Sequence, residues 1–458
     1  MESKHSRMTT EPVEKLVVRL AAPSIVIMLI SAMYNMADTY FVSTIGTAAV
    51  AAVGVGFAVM ALIQAIGFLF GHGAGNYISR ELGAKHNVLA DKMAATGLIT
   101  AVLTCSVLAA IGLLNLERLA VFLGSTPTIL PYACDYLQYI ILGMPWMAAS
   151  LTLNNLLRFQ GSAFFGMIGM TSGAVLNIIL DPILIFGFDM GVAGAGLATM
   201  ISQLVSCLLL LAGCTKGENI RIRLSNFAPG LGIYTEILRG GFPSLCRQGL
   251  MSVSTIYLNN KAGIFGDPAI AAMSIVQRVS MFAGSALIGF GQGFQPVCGF
   301  NYGAQLYGRV RKAFWFCTKV STVVLLALAV LGYIYAHEII AFFRGEDRDV
   351  MEIGVLALRL QCFTFPLMGL TILTSMMTQT IGLAFKASIL AAARRGLFMI
   401  PLLYILTPVY GLFGVQLSQP ASDLATVVLT IPICLSVLRN MGKSKESVRE
   451  TMTYPTDE

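Results

Sequence analysis

Charge is scarce in this chain. Only 12% of its 458 residues are Asp, Glu, Lys or Arg, about half the ~25% of a soluble globular domain. Hydrophobic residues make up 56% before glycine is counted, and mean hydropathy is +0.76. So little polar surface cannot cover a water-soluble body of this size. A soluble enzyme, a disordered chain and a nucleic-acid reader are excluded, which leaves a polytopic membrane protein. Histidine is rarer still, at four residues, and the spacing suits no metal site. The nine cysteines include no CxxC pair and read as small buried hydrophobes. No GxxxxGK[ST] follows Gly71, Gly73 and Gly75, so these glycines are expected to pack helices closely and not to cradle a phosphate. That absence also argues against an ATP-driven pump. Without HxxxH, GxSxG or a paired His/Asp motif there is no sign of an enzyme, and no cofactor is expected. The start of the chain, MESKHSRMTTEPVEK, is polar and has no cleavable signal, so the first apolar run is expected to stay as a membrane helix.

Apolar runs are what the chain does have. About 20 apolar residues cross a bilayer core as a helix, and twelve runs qualify, near 16–43, 47–77, 93–114, 133–157, 161–187, 191–213, 235–260, 268–300, 313–335, 351–378, 384–407 and 411–438. Their length and continuity disfavour a β-barrel. If the N-terminus is cytoplasmic, the inner segments hold 20 Lys and Arg and the outer segments four (Arg118, Lys261, Arg344, Arg348). This is a positive-inside pattern with both termini in the cytoplasm.

The chain also repeats. Shifted by 220 residues, Pro23-Ser24 falls on Pro243-Ser244, Gly46 on Gly266, Gly73 on Gly293 and Gly83-Ala84 on Gly303-Ala304. With one residue of slip, Gly161 falls on Gly382. The predicted fold is therefore an all-α integral membrane protein with two pseudo-symmetric six-helix lobes, of the kind that rock against each other. Residues 1–15 form a cytoplasmic N-terminal segment, 16–213 the N-lobe, 214–234 a basic cytoplasmic linker, 235–438 the C-lobe and 439–458 a cytoplasmic tail.

Carboxylates at membrane depth are expensive and mark ion or substrate pathways. Asp38 shares a face of span 1 with Ser31 and Asn35, beside Tyr34. Asp181 lies on span 5, four residues after Asn177, and Pro182 frees the Ile178 carbonyl by lacking an N–H. Thr199 lies on span 6. From the span ends, Asp38, Asp181 and Thr199 sit roughly 7–12 Å below the outer helix ends, so one N-lobe cavity could hold all three. Their repeat mates are Leu258, Leu402 and Gln419, so the acidic pair belongs to the first half alone. In the second half Asp423 is expected to pair with one of Arg247, Arg278, Arg394 and Arg395 as a structural lock, because charges inside spans usually pair; a place in a substrate-facing wall is the alternative.

The segments YNMADTYFVSTIG, GHGAGNYISRELGAK and NIILDP resemble the multidrug and toxic compound extrusion (MATE) family, in its bacterial DinF/MepA-like branch, and the likeness runs along essentially the whole chain. The resemblance implies a first span that hinges near Pro23. It implies a cation-coupling site of Asp38, Asn177, Asp181 and Thr199 with Tyr34 beside it, able to take H⁺ or to ligate Na⁺. Asn35, Asn154 and Asn155 are expected in the substrate-cavity lining. The implied activity is secondary antiport of lipophilic, often cationic compounds across the plasma (cell inner) membrane, by a monomer. A lipid-linked oligosaccharide flippase of the same superfamily is the alternative, and it would be expected to have a more cationic central cavity.

Overall fold

The computed structural model describes residues 4–344 and 347–441. The described residues form helices and no strands. In chain order these are α1 (Lys4–Thr10), α2 (Val13–Ser43), α3 (Thr47–Gly83), α4 (Asn87–Leu114), α5 (Leu116–Phe122), α6 (Leu130–Phe159), α7 (Ala163–Pro182) and α8 (Gly191–Cys214) in the first half. The second half has α9 (Leu231–Gly263), α10 (Asp267–Gly303), α11 (Tyr307–Ile334), α12 (Ala336–Arg344), α13 (Arg348–Cys362), α14 (Phe365–Thr380), α15 (Ala384–Ala392), α16 (Met399–Tyr410) and α17 (Leu412–Asn440).

Twelve membrane spans follow, six in each lobe. Nine helical segments are long and apolar enough to cross a bilayer, and α13 with α14 makes a tenth. The other two are α2 and α9, the first span of each lobe. They are 31 and 33 residues long, enough to cross a bilayer core as helices. Span 10, expected as one helix, is broken by 55° between α13 and α14. Pro366 in the first turn of α14 cannot donate to the carbonyl of Cys362, so the helix ends there. Most of the tail, including Lys443, Lys445 and Arg449, lies outside the described residues.

The backbone carries the repeat as plainly as the side chains do. Positive φ recurs at Gly46 and Gly266, Lys85 and Gln305, Gly161 and Gly382, and Gly191 and Gly411. A left-handed Lys and a left-handed Gln at matched positions are two copies of one helix-ending turn, since non-glycine residues rarely adopt it. Each lobe has its own apolar core. A third apolar cluster joins Met8, Leu16, Phe294, Phe314 and Val437 across both halves.

The lobes meet where backbones can touch. A Cβ on Gly73 would lie 2.3 Å from the Ile237 carbonyl oxygen, and one on Gly293 would lie 2.5 Å from Ala21 Cα. Gly71 and Gly75 admit Asn155 and Phe159 in the same way, so all three glycines serve close packing. Polar bonds seal the same end. Arg80 donates to the Thr380 carbonyl (2.7 Å) and pairs with Glu236 (3.2 Å), and Thr380 donates to Asn76 Oδ1 (2.9 Å). Helix α1 lies across both lobes here. The Lys4 backbone N–H donates to Glu218 and its Nζ to Asn219 in the linker, while Arg309 of α11 donates to the carbonyls of Thr10 and Glu11. The N-terminal segment, the linker and the α3–α4 and α10–α11 turns thus gather at one end of the molecule, which we call the terminal end. The nine cysteines form no disulfide.

Candidate cation-binding site

Asp38 on α2 and Asp181 on α7 are 5% and 0% exposed, and the charge of Asp38 is felt at Asp181. Neither forms an ion pair with a Lys, Arg or His among the described residues. The fold places Asp181 by ending regular α-helix at Pro182; a π-helical turn, Ile183–Gly187, follows. Such turns often mark functional positions. Asn177, one turn earlier, holds the centre together. Its Nδ2 donates to Asp181 Oδ1 (3.4 Å) and to Thr199 Oγ1 on α8 (3.3 Å). Both bonds are long, and three buried acceptor oxygens, Asp38 Oδ1, Asp181 Oδ2 and Asn177 Oδ1, have no donor among the described residues.

Buried acceptors are normally satisfied. Asn177 also lines a cavity between α2, α7 and α8, together with Tyr34, Thr199, Ser202 and Gln203, and through its bond to Asp181 it ties the acids to that cavity. At about 30 Å³ it holds a water or two. Oxygen acceptors with two carboxylates are the donor set of a hard monovalent cation, and the same carboxylates can carry a proton. Asp38, Tyr34, Asn177, Asp181 and Thr199, separated by up to 165 residues in sequence, therefore come together. Asn35 lies outside the described side chains. Asn154 and Asn155, expected in the substrate-cavity lining, do not line this small cavity. Asn154 Oδ1 abuts Gly166, and Asn155 binds the Leu151 carbonyl through Nδ2 and Arg158 through Oδ1. Pro23 is buried in an α2 that continues unbroken from Val13 to Ser43.

The family model described as MatE matches residues 23–183 and again 243–405. The chain belongs to the MatE family. It is accordingly a multi-pass membrane transporter and not an enzyme. The two matched stretches start 220 residues apart, the same register as the repeat. Among curated proteins, this MatE chain is 29% identical to the multidrug export protein MepA of Staphylococcus saprophyticus, over 86% of this chain and 87% of that one. It is 28% identical to MepA of Staphylococcus haemolyticus, over 95% and 96%. Among solved structures it resembles the outward-facing conformation of a multidrug resistance MATE transporter (26% identity, TM-score 0.90, covering 97% of this chain and 100% of that one). It also resembles a MATE in a bent conformation (26%, 0.90, 97% and 99%).

Three residues escaped sequence reasoning. Tyr136 on α6 is fully buried beside the acids, its hydroxyl has no partner, and its ring occupies the space left by Gly56. Ser202 Oγ is likewise unpartnered. Gly173 leaves the backbone bare beside Ser206. A signal for the third was available. In the repeat register Gly173 falls on Arg394, and the cavity residue Gln203 falls on Asp423.

Proposed function

We propose that this MatE protein is a secondary antiporter of the plasma membrane. It exports lipophilic, often cationic compounds in exchange for H⁺ or Na⁺, with the terminal end in the cytoplasm. Asp38 and Asp181 are the coupling acids. The observation that carries this reading is the pair of buried carboxylates that, among the described residues, have no basic partner and keep unfilled acceptor oxygens, tied through Asn177 to a small cavity. Two carboxylates in one dry site cannot both ionise cheaply, so they draw a cation from the side where it is abundant. For Na⁺, Asp38, Asp181, Asn177 and Thr199 supply the oxygens; for H⁺, the carboxylates suffice. Filling the site relieves the negative charge, α2 rearranges near Pro23, and the seal at the terminal end opens as the lobes rock. Exchange of one proton for one monovalent cationic drug moves no charge, so only the pH gradient acts, at about 1.36 kcal/mol per unit. A second ion adds about 2.3 kcal/mol per 100 mV.

Inverted vesicles with a fluorescent lipophilic cation and imposed pH or Na⁺ gradients test this. The gradient that drives uptake identifies the ion. Asp38→Asn and Asp181→Asn should insert at normal levels and lose gradient-driven transport by more than about tenfold, the effect of 1.4 kcal/mol or more. Normal coupling in both variants overturns the assignment.

A further inference from the structure

The molecule holds a second charged cluster, of opposite sign, between the lobes. Arg158 ends α6 at 2% exposure, deep in the terminal half of the bundle. Its partners are all neutral. Two lie across the interface on α10, the Gln292 carbonyl (3.3 Å) and Gln295 Oε1 (3.2 Å), and the third is Asn155 Oδ1. Its Nε has no partner. Arg247 on α9 lies within electrostatic range and makes no ion pair or hydrogen bond of its own among the described residues. His72 on α3, felt by both arginines, is 3% exposed. It bonds Ser244 of α9 through Nδ1 (2.8 Å) and leaves Nε2 unpartnered. No carboxylate pairs with either arginine among the described residues.

Two guanidinium groups inside a membrane protein with no acid to answer them are costly. In the sealed arrangement Arg158 survives on C-lobe carbonyl and amide oxygens. Those acceptors sit on the other lobe, so any parting of the lobes removes them and exposes both arginines to the cleft. A guanidinium has five donors and accepts nothing, and the group that matches it best is an oxyanion.

We propose that Arg158 and Arg247, with His72 beside them, bind the anionic group of an amphiphilic substrate in the cleft between the lobes. Among the lipophilic compounds the cleft takes, those that also carry an anionic group, zwitterions included, are then held more tightly at this depth than plain cations. This rests on the reading that the cleft is the transport path and sharpens its substrate class. A carboxylate on a dissolved compound and a phosphate on a lipid headgroup share the required chemistry.

Rhodamine B carries a free carboxylate, and its ethyl ester is the same dye without one. Fluorescence anisotropy with the full chain in phosphatidylcholine nanodiscs compares the two without any ion gradient, so the outcome is independent of the antiport test. The wild type should bind rhodamine B about tenfold more tightly than the ester. Arg247→Gln, which breaks no bond in the sealed form, should erase that preference and leave ester binding unchanged; Arg158→Gln should do the same if it folds. Adding phosphatidylglycerol to the discs separates the sources. Selective loss of rhodamine B binding assigns the anion to a lipid headgroup, and retention assigns it to a soluble compound. An ester that binds as tightly as the acid, or Arg247→Gln weakening both dyes equally, overturns the proposal.

Discussion

In the C-lobe, Asp423 is saturated. Its Oδ1 accepts from Arg394 Nε (2.6 Å) and Gln419 Nε2 (3.0 Å), and its Oδ2 from Gln361 Nε2 (2.7 Å) and Thr364 Oγ1 (3.0 Å). In the N-lobe the repeat mates of Arg394 and Asp423 are Gly173 and Gln203, and both line a cavity. Asp38 and Asp181 nearby pair with no basic side chain among the described residues. One scaffold has therefore been finished in two ways. Where an ion pair fills the lobe, every lone pair is used and the helices are locked. Where glycine replaces the arginine, the space stays open and two acids keep unfilled oxygens. The break between α13 and α14 belongs to the same contrast, since it brings Gln361 and Thr364 onto Asp423. The matching Pro145 of the N-lobe sits inside an unbroken α6. The lesson is that a buried carboxylate with a full donor set is structural, and one without is available for chemistry.

The comparison can be broken most forcefully through stability. Asp423→Ala leaves Arg394 buried without its acid and should cost about 3–5 kcal/mol, read by chemical denaturation in detergent. Asp181→Asn removes a charge that nothing compensates and should change stability by no more than about 1 kcal/mol. Equal losses in the two variants would erase the distinction between lock and site. A smaller effect sharpens the N-lobe side. Tyr136→Phe removes a buried hydroxyl that bonds nothing in the protein, so stability should hardly move. Ion-driven transport should weaken several-fold, by about 1 kcal/mol of lost ligand contact. Unchanged ion dependence in this variant would remove Tyr136 from the site.

The smallest effect concerns how α1 is fastened to each half. Burial lowers the pKa of Lys4, on the N-lobe side, from 10.5 to about 8. Arg309, on the C-lobe side, holds the other end of α1 through the carbonyls of Thr10 and Glu11. Below pH 8 the docked lysine is charged and bears the full desolvation penalty. Between about 8 and 10.5 the docked amine is neutral while the undocked one is still charged, so docking strengthens as pH rises through that window. Amide exchange in α1, corrected for its intrinsic base catalysis, should slow across the window in the wild type and show no such trend in Lys4→Gln. A trend in the opposite direction would mean that the charged lysine is the better-docked form.

Much of this was legible from the chain alone. The twelve spans, the 220-residue register and the gathering of Asp38, Asn177, Asp181 and Thr199 follow from run length, periodicity and depth. The expectation that Asp423 would pair with one of four arginines was met, with Arg394 as the partner. Asn154 and Asn155 lie apart from the small N-lobe cavity, and a polar residue on a span looks the same in sequence whether it faces a cavity or serves a neighbouring helix. Tyr136 was hidden for the opposite reason. A tyrosine in an apolar run resembles core filler until the partners of its hydroxyl are known.

Hydropathy and repetition are properties of neighbouring residues along the chain, so the sequence by itself determined how many spans the chain makes, how the halves correspond and that Asp38, Asp181 and Asp423 would lie within spans. Whether a buried polar atom finds a partner depends on elements far apart in sequence, such as Arg158 and Gln295, 137 residues apart. Only the tertiary structure could decide that one acid is locked, that two others are left open and that two arginines have no acid to meet. Desolvation acts on each group where it stands, but its compensation is set by what the fold brings alongside.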